Sequence, residues 1–512
     1  MLRKLRLTLA VLFFMAVTLL FLDFTGTVHK WLGWTAEIQF LPALLALNVV
    51  VVLVLVAVTL LVGRVYCSVI CPLGVMQDII AWLGRLGGKK RKLRYSHSPE
   101  RRWLRWGVFV AFVACLVGGL TTLSSLLAPY SSYGRIASNL LSPLYRWCNN
   151  GLAYVAERID SYAFYETDVW LKSMPTFIIA VVTFIIIAVL AWRGGRTYCN
   201  TICPVGTLLG FLSRFSWLKI HIDESKCNRC GKCSRKCKAA CIDGKHHKID
   251  YSRCVMCMDC LETCKHGAIS IGKRSEERGK RSEERGVRKE ERGVRSDERG
   301  VRSENGRRAF LAIATSFAAS TVINAQKKKV DGGLTVIQDK VKPERATPIL
   351  PPGAFSAQHF AQHCTACQLC VSVCPNQVLR PSSDLAHLMQ PEMSYERGYC
   401  RPECTRCSDV CPTDAIRPIT VAEKSSTRIG HAVWVKKNCV PVTDGVSCGN
   451  CARHCPSGAI LMVPMDADDP ESPKIPVVNV ERCIGCGACE NLCPARPFSA
   501  IYVEGHERHS EF

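Results

Sequence analysis

The sequence predicts an α-helical membrane domain of four spans with a two-fold internal repeat, followed by cysteine-rich α+β domains with a flexible linker between them. Three observations support this fold class. Long apolar segments fall within the first two hundred of the 512 residues, all but six of the 31 cysteines follow Cys203, and a charged, glycine-bearing stretch separates two cysteine-rich regions. A chain of this length is long enough for several domains.

Four segments are long and apolar enough to cross a bilayer, which needs about 20 residues of helix. They run approximately over residues 7–22, 41–62, 103–127 and 175–192. No small-residue cleavage pattern follows the first, so a signal peptide is not expected there. Lysines and arginines precede the first span and follow the second, which predicts that both ends of this multi-pass unit face the cytoplasm. The formal net charge of +23 owes much to such flanking residues, so nucleic acid is not an expected partner.

A short motif occurs twice in this region. GRVYCSVICPLG spans Gly63 to Gly74, and GRTYCNTICPVG spans Gly195 to Gly206. Each follows an even-numbered span, so the predicted unit is two spans and a C-x-x-x-C-P turn, used twice. The repeat brings four cysteines to one membrane face, namely Cys67, Cys71, Cys199 and Cys203. A redox or metal role is favoured over a purely structural turn, and the sequence leaves open which of the two it is.

The spans contain no histidine, and the chain contains no C-x-x-C-H motif. Axial ligands for a haem inside the membrane and attachment sites for a c-type haem are therefore missing. We expect no haem, so any electron transfer would use another cofactor.

Two quartets after the fourth span have the spacing C-x2-C-x2-C-x3-C, which is typical of ferredoxins that hold [4Fe–4S] clusters. In that pattern three cysteines bind one cluster and the fourth binds its neighbour. The first cluster is therefore predicted to use Cys227, Cys230, Cys233 and Cys264, and the second Cys254, Cys257, Cys260 and Cys237. Cys241 is an extra thiol that could replace Cys237.

Four further quartets follow in the last third of the chain. They are Cys364, Cys367, Cys370 and Cys374; Cys400, Cys404, Cys407 and Cys411; Cys439, Cys448, Cys451 and Cys455; and Cys483, Cys486, Cys489 and Cys493. Structural zinc or disulfides would not explain six quartets in this order. We therefore predict six [4Fe–4S] clusters in α+β ferredoxin-like domains. Among the last four quartets, we expect the outer pair and the inner pair to exchange their fourth ligands.

The two cysteine-rich regions are separated by a repeat in which glycine recurs every seven residues between charged residues. Without apolar heptad positions such a segment is expected to be a solvated tether. It leads to Arg307 and Arg308 in the sequence RRAFL, which is close to the core of twin-arginine export signals. The second cysteine-rich region is therefore expected to be exported, with the apolar segment as a signal or anchor.

These features divide the chain into five parts. The predicted parts are a membrane domain over 1–215, a two-cluster ferredoxin domain over 216–272, a linker over 273–304, a twin-arginine-type segment over 305–326 and a four-cluster ferredoxin domain over 327–512.

Residues 1–272 resemble NapH-type membrane components of quinol dehydrogenases, on the four spans, the two C-x-x-x-C-P turns and the two-cluster end. Residues 305–512 resemble exported four-cluster proteins of the MauM/NapG type, so the chain looks like a fusion of the two. The resemblance implies a protein of the bacterial inner membrane, in contact with lipid and the quinol pool. Its first ferredoxin domain would be cytoplasmic and its C-terminal domain periplasmic.

The resemblance also implies that quinol is oxidised and that electrons pass to a periplasmic acceptor, such as a c-type cytochrome or a reductase of the nitrate reductase type. The catalytic residues of quinol oxidation are not evident in the sequence. Because no nucleotide, flavin or molybdopterin motif is present, we expect an electron-transfer component and not a terminal reductase. Copper-site maturation and a regulatory role are the alternatives, since related membrane ferredoxins serve them.

Overall fold

The computed structural model describes residues 2–23, 25–86, 95–161, 163–273, 330–331, 335–336 and 338–511. The glycine-bearing linker beyond Lys273 and the twin-arginine-type segment over 305–326 lie outside the described residues.

The N-terminal region is helical, as predicted. Its helices are α1 Leu2–Leu22, α2 Thr27–Leu32, α3 Trp34–Glu37, α4 Phe40–Leu45, α5 Val49–Val62, α6 Val65–Val69, α7 Pro72–Leu86, α8 Arg102–Val117, α9 Thr121–Leu127, α10 Pro129–Ile136, a π-helical turn Ala137–Leu141, α11 Ser142–Glu157, α12 Met174–Gly194, α13 Thr197–Thr201 and α14 Pro204–Ser213.

Two of the predicted spans are continuous helices. α1 and α12 each contain 21 residues and are apolar enough to cross a membrane. The second span is divided between α4 and α5, because Leu47 takes a left-handed conformation with φ 53° and Asn48 caps α5. The third span is divided between α8 and α9 at Gly119, which has φ 75°. A left-handed residue cannot continue a right-handed helix, so each of these two apolar segments forms two shorter helices.

The first cysteine-rich region is a small α+β unit that follows α14. Its elements are β1 Leu218–Ile222, α15 Lys232–Lys236, β2 Ile242–Asp243, β3 Lys248–Ile249, α16 Asp259–Thr263 and β4 Ile269–Lys273. β1 and β4 pair antiparallel, so the first and last strands close the unit around the two cysteine loops. β2 and β3 form a second antiparallel pair.

The second cysteine-rich region is also α+β. Its elements are β5 Val330–Asp331, β6 Thr335–Val336, α17 Ala357–His363, α18 Leu369–Val373, β7 Leu379–Pro381, β8 Pro391–Met393, α19 Arg406–Asp409, α20 Val421–Ser426, β9 Thr427–Trp434, a 3-10 turn Lys436–Asn438, α21 Val440–Thr443, α22 Asn450–Arg453, β10 Ile460–Pro464, β11 Lys474–Val478, α23 Ala488–Leu492 and β12 Ile501–Glu511. The described strands form antiparallel pairs, and β9 pairs with the C-terminal β12.

The two cysteine-rich regions contact opposite ends of α1. At its start, Arg3 forms an ion pair of 2.8 Å with Asp259 of the first region. At its end, Phe21 packs against the ring of Tyr130 in α10. Gly134 of α10 lies so close to Cys367 of the second region that an added Cβ would overlap the Cys367 carbonyl oxygen. At 1.5 Å per residue α1 is about 30 Å long, which is the separation it imposes between the two contacts.

Candidate iron–sulfur sites

All six quartets share one local structure around their third cysteine. That cysteine lies on a single turn of helix, and the fourth cysteine follows within two residues of the end of the turn. The third cysteines and their helices are Cys233 on α15, Cys260 on α16, Cys370 on α18, Cys407 on α19, Cys451 on α22 and Cys489 on α23. The turn of helix carries the chain away from the loop that holds the first three thiols, so the fourth thiol faces a different site.

Four of the quartets also share an unusual loop backbone. The residues immediately before and after the second cysteine have positive φ. These pairs are Arg229 and Gly231, Met256 and Met258, Ala366 and Gln368, and Gly485 and Gly487. A non-glycine residue in this region costs roughly 1–2 kcal/mol, so the first three loops are strained, whereas the fourth has glycine at both positions. Alternating backbone handedness turns successive N–H groups toward one point and forms a concavity that suits an anion.

The glycines of the last quartet also have a packing reason. A Cβ at Gly487 would overlap the ring of Tyr395, which is fully buried and donates a hydrogen bond of 2.6 Å to the carbonyl of Gly485. A Cβ at Gly485 would lie 2.7 Å from the backbone nitrogen of Gly430. Glycine before and after the second cysteine in CIGCGAC was a visible signal for this loop backbone, which the sequence reasoning did not use.

The structure brings together the ligand sets predicted for the first region. Cys227, Cys230, Cys233 and Cys264 line one cavity. Cys237 lies within electrostatic range of Cys254, Cys257 and Cys260. Cys241 lies at the same place, with its Sγ 3.5 Å from that of Cys237. Both thiols are therefore available to this second site.

In the second region, the prediction that the outer two quartets exchange fourth ligands with each other, and the inner two with each other, is wrong. Instead, each site takes its thiols from two quartets that are neighbours along the chain. Three of these sets each line one cavity, and the thiols of the fourth set lie within electrostatic range of each other. The sets are Cys364, Cys367, Cys370 and Cys411; Cys374, Cys400, Cys404 and Cys407; Cys455, Cys483, Cys486 and Cys489; and Cys439, Cys448, Cys451 and Cys493. Each pair of quartets thus repeats the arrangement of the first region, because the helical turn after each third cysteine directs the fourth toward the nearest partner loop.

The surroundings of these thiols suit an anionic metal cluster. Burial raises the pKa of the Cys486 thiol to about 12 and that of Cys400 to about 11, the latter opposed by the charge of Lys424. A metal ion supplies the positive charge that reverses this preference and holds the sulfur as thiolate. Backbone N–H groups also donate to sulfur, for example from Ala500 to Cys493 Sγ at 3.3 Å.

One buried and one half-buried lysine add positive charge beside the loops. Lys424, which is 5 % exposed, donates to the carbonyls of Arg401, at 2.6 Å, and Cys404. Lys172 donates to the carbonyl of Val371 at 2.7 Å and lies within electrostatic range of Cys374 and Cys370. Thiol sets, donors to sulfur and nearby lysines together fit [4Fe–4S] clusters, whose potentials depend on such hydrogen bonds and charges.

The two C-x-x-x-C-P turns meet each other and bury their cysteines. Cys67, Cys71, Cys199 and Cys203 are each 4 % or 5 % exposed. Every one of the four interacts electrostatically with the other three. Among the described residues, no three His, Cys, Asp or Glu side chains converge tightly enough for a single metal ion. The quartets and the turns are alike in this respect.

An arginine from each turn is bound by the other turn. Arg64 donates to the carbonyl of Cys199 at 3.2 Å, and Arg196 donates to the carbonyl of Cys67. Both arginines are fully buried. The glycine that ends each motif allows this approach, because a Cβ at Gly206 would lie 2.9 Å from Arg64 Nη2. The two turns therefore form one packed unit.

The cysteine loops define the class of protein as an iron–sulfur protein with several [4Fe–4S] clusters, and family models agree. A model described as a 4Fe-4S binding domain matches residues 44–94 and 175–223. A 4Fe-4S dicluster domain matches 363–415 and 446–496, and a further 4Fe-4S binding domain matches 247–270. The two dicluster matches fall on the same two pairs of quartets that share ligands in the structure, except that Cys439 precedes the second match.

Comparison with curated proteins identifies the family. The chain is 31 % identical over 193 residues to the methylamine utilization ferredoxin-type protein MauM of Methylophilus methylotrophus, covering 36 % of this chain and 81 % of that protein. It therefore belongs to the MauM family of ferredoxin-type iron–sulfur electron-transfer proteins.

Two other ferredoxin-type relatives also match. The ferredoxin-type protein NapF of Escherichia coli K12 is 27 % identical over 159 residues, or 31 % of this chain and 87 % of NapF. The putative electron transport protein YccM of the same strain is 26 % identical over 201 residues, or 38 % of this chain and 47 % of YccM. No solved structure matches the chain.

Proposed function

We propose that this protein is a membrane-bound quinol dehydrogenase component in which a NapH-type membrane part is fused to a four-cluster ferredoxin of the MauM/NapG type. The main support for the proposal is that the two cysteine-rich regions contact opposite ends of α1, at Arg3 and near Phe21. If α1 spans the membrane, the first region lies on the cytoplasmic side and the second on the periplasmic side. This agrees with the Lys/Arg bias and with the twin-arginine-type segment.

The surface of the helical region supports placement in a membrane. Large apolar side chains project outward from it, among them Leu12, Leu53 and Ile178, which are 53–62 % exposed. Such an exposed apolar surface is unusual for a water-soluble protein. Exposed tryptophans occur near the first cysteine-rich region, namely Trp82, Trp103, Trp192 and Trp217. Tryptophans are enriched where a membrane protein crosses the boundary between lipid and water.

The six thiol sets supply the electron carriers. A [4Fe–4S] cluster, when bound, accepts and releases one electron at a time. Quinol loses two electrons and two protons on oxidation, so two single-electron transfers to the protein balance each quinol, and the protons go to water. The four sets of the second region then lead toward a periplasmic acceptor, such as a c-type cytochrome or a reductase of the nitrate reductase type.

The test of quinol oxidation uses the anaerobically purified full chain. After oxidation of the clusters, addition of a reduced short-chain menaquinol or ubiquinol should bleach the iron–sulfur absorbance and produce reduced-cluster EPR signals. The oxidised quinone is the matched control and should change neither. If dithionite reduces the clusters but neither quinol does at any ratio of quinol to quinone, the quinol dehydrogenase function is wrong.

Sidedness has a separate test. Protease added to intact spheroplasts should digest the C-terminal domain, and the replacement of Arg307 and Arg308 by lysine should protect it, because the twin-arginine pathway reads the guanidinium pair. Digestion of the unmodified domain only after lysis would place it in the cytoplasm.

A further inference from the structure

The four cysteines of the C-x-x-x-C-P turns are supplied with hydrogen-bond donors to sulfur. The backbone nitrogen of Gly206 donates to Cys203 Sγ at 3.3 Å, and the Gln77 side-chain amide donates to Cys199 Sγ at 3.2 Å. Arg64 Nη2 lies 3.7 Å from Cys67 Sγ. Donors directed at sulfur stabilise thiolates, and hydrogen bonds to the sulfurs tune the potential of iron–sulfur clusters.

The charge of Arg64 points to an anion at this place. Its side chain is fully buried, and it donates to the side chain of Asn200 and to the carbonyls of Ser252 and Cys199. Among the described residues no carboxylate forms an ion pair with it, and its Nε has no partner. A buried charge is expected to be paired, because an isolated one loses its hydration without compensation. Besides carbonyl and amide dipoles, a group that can carry negative charge lies beside it, the Cys67 thiol at 3.7 Å from Nη2.

The other turn balances its arginine in a different way. Arg196 forms a two-point ion pair with Asp78, with distances of 2.8 and 2.7 Å. The position in the second turn that corresponds to Asp78 is Gly210, where a Cβ would overlap Arg105. No carboxylate can therefore occupy that position to balance Arg64 without displacing Arg105.

The four cysteines also lie between the two ferredoxin regions. On one side, Arg64 reaches both Cys67 and the carbonyl of Ser252, two residues before Cys254, and lies within electrostatic range of that thiol. On the other side, Tyr198 lies within electrostatic range of Cys203 and Cys199, and also of Arg135.

Arg135 continues the connection to the second region. Its side chain is fully buried, donates through Nη2 to the carbonyl of Ser125 at 3.0 Å and to the hydroxyl of Ser132 at 3.3 Å, and lies within electrostatic range of Cys367. Its Nε and Nη1 have no partner among the described residues. Within the part of the chain that the structure describes, a second buried guanidinium without a carboxylate partner thus lies between the turns and the nearest quartet of the second region.

We propose that Cys67, Cys71, Cys199 and Cys203 hold a seventh [4Fe–4S] cluster, which connects the six clusters of the two ferredoxin regions through the helical bundle. The connecting role rests on the proposed electron-transfer function, whereas the presence of the cluster does not. A cluster held by these four thiolates would supply one-electron transfer: it would take one electron from a reduced donor cluster and give the same electron to an acceptor cluster, with no proton transferred. The family model that spans both turns is described as a 4Fe-4S binding domain, which agrees with this ligand set.

The first test is iron and acid-labile sulfide analysis of the anaerobically purified full chain. Seven clusters give roughly 28 irons per chain, and the double variant Cys71→Ser/Cys203→Ser should contain roughly four fewer. The double variant Cys115→Ser/Cys148→Ser is the matched control, because it removes two thiols of the helical region outside the turns and should retain all the iron. Equal iron in the wild type and the Cys71/Cys203 variant, or stoichiometric copper or zinc that only this variant loses, would overturn the proposal.

A second test covers the case in which the cysteine variant does not fold. Arg64→Gln keeps all four cysteines and removes the buried positive charge, which favours the more negative, reduced cluster. In an EPR-monitored redox titration, Arg64→Gln should move one component to lower potential, and Arg64→Lys should restore much of the shift. A titration identical to that of the wild type in both variants would count against a cluster beside Arg64.

The two proposals fail separately. Full-iron protein that quinol does not reduce contradicts quinol oxidation and leaves the seventh cluster standing. A chain with no iron at the turns that is still reduced by quinol contradicts the cluster and leaves quinol oxidation standing.

Discussion

The two C-x-x-x-C-P turns have nearly the same sequence, yet their buried arginines are in different electrostatic surroundings. Arg196 is neutralised by Asp78, which also pairs with Lys238 at 2.8 Å. Arg64 binds carbonyl and amide oxygens and reaches toward Cys67 Sγ. The difference shows that a repeated motif can reproduce a backbone turn while the charges around it diverge. In the second turn the charge of Arg196 is balanced by Asp78, whereas in the first turn the charge of Arg64 is free of a carboxylate among the described residues and can act on the thiols.

The largest expected effect concerns the loop that Arg64 contacts. Cys237→Ser should remove the cluster built on Cys254, Cys257 and Cys260, and so lower the iron content by about four per chain. Cys241→Ser is the matched comparison, because its Sγ is only 3.5 Å from that of Cys237. We expect Cys241→Ser to retain the iron. Iron lost in Cys241→Ser and kept in Cys237→Ser would make Cys241 the ligand.

Removal of the carboxylate that distinguishes the two turns should be the next largest effect. Burial alone would raise the pKa of Asp78, but Arg196 and Lys238 outweigh it and hold that pKa well below its usual range. Asp78→Asn leaves Arg196 without a carboxylate and Lys238 with only its ion pair to Asp259 at 3.3 Å, at a cost of about 3–5 kcal/mol in the free energy of unfolding. The measurement is denaturation of the purified protein in detergent, followed by circular dichroism.

The control for Asp78 is an exposed pair at the same end of the molecule. Glu262 pairs with Arg3, and both side chains are more than 40 % exposed. Glu262→Gln should cost less than about 1 kcal/mol, because solvent screens such pairs. Equal losses in the two variants would mean that the Asp78 network has no special role in stability.

An attempt to make the second turn like the first should fail. Gly210→Asp places a carboxylate at the position that corresponds to Asp78, but its Cβ would overlap Arg105 and lie 2.5 Å from the carbonyl oxygen of Ser252. Overpacking of this kind costs about 1–3 kcal/mol. The same denaturation experiment measures it, with Gly151→Ala as the control, because an added Cβ at Gly151 meets nothing within 4 Å. A variant more stable than the wild type would show that Arg64 gains a carboxylate partner there.

The smallest effect is expected at Gln77. It donates to Cys199 Sγ, whereas the corresponding residue of the second turn is Leu209, which has no donor. Gln77→Leu removes this bond, but it also removes a buried Oε1 without a partner. The net change in stability should stay within about 1 kcal/mol. The potential of the EPR component that responds to Arg64→Gln should also fall in Gln77→Leu, but by less. A rise in that potential would show that this hydrogen bond does not stabilise the reduced cluster.

Several features follow from the sequence alone. The C-x2-C-x2-C-x3-C spacing determines a loop and one turn of helix, because the ligands lie within eleven consecutive residues. That is why the [4Fe–4S] domains were predictable, whereas the helical N-terminal region was predictable from its long apolar segments. The Gly118-Gly119 pair within the third apolar segment also indicates a helix break, although the segment was predicted to be one continuous span.

Other features depend on residues that are far apart along the chain. The spacing shows that Cys411 binds a neighbouring site, but only the packed domain places it with Cys364 and not with a later quartet. The repeat predicts that the four turn cysteines lie at one membrane face. Which of the two buried arginines has a carboxylate partner, however, depends on Asp78, Gly210 and Arg105, which belong to three different helices. Local spacing determines a turn through short-range geometry, whereas desolvation and steric exclusion among distant segments decide which charges remain unpaired once the turns are buried.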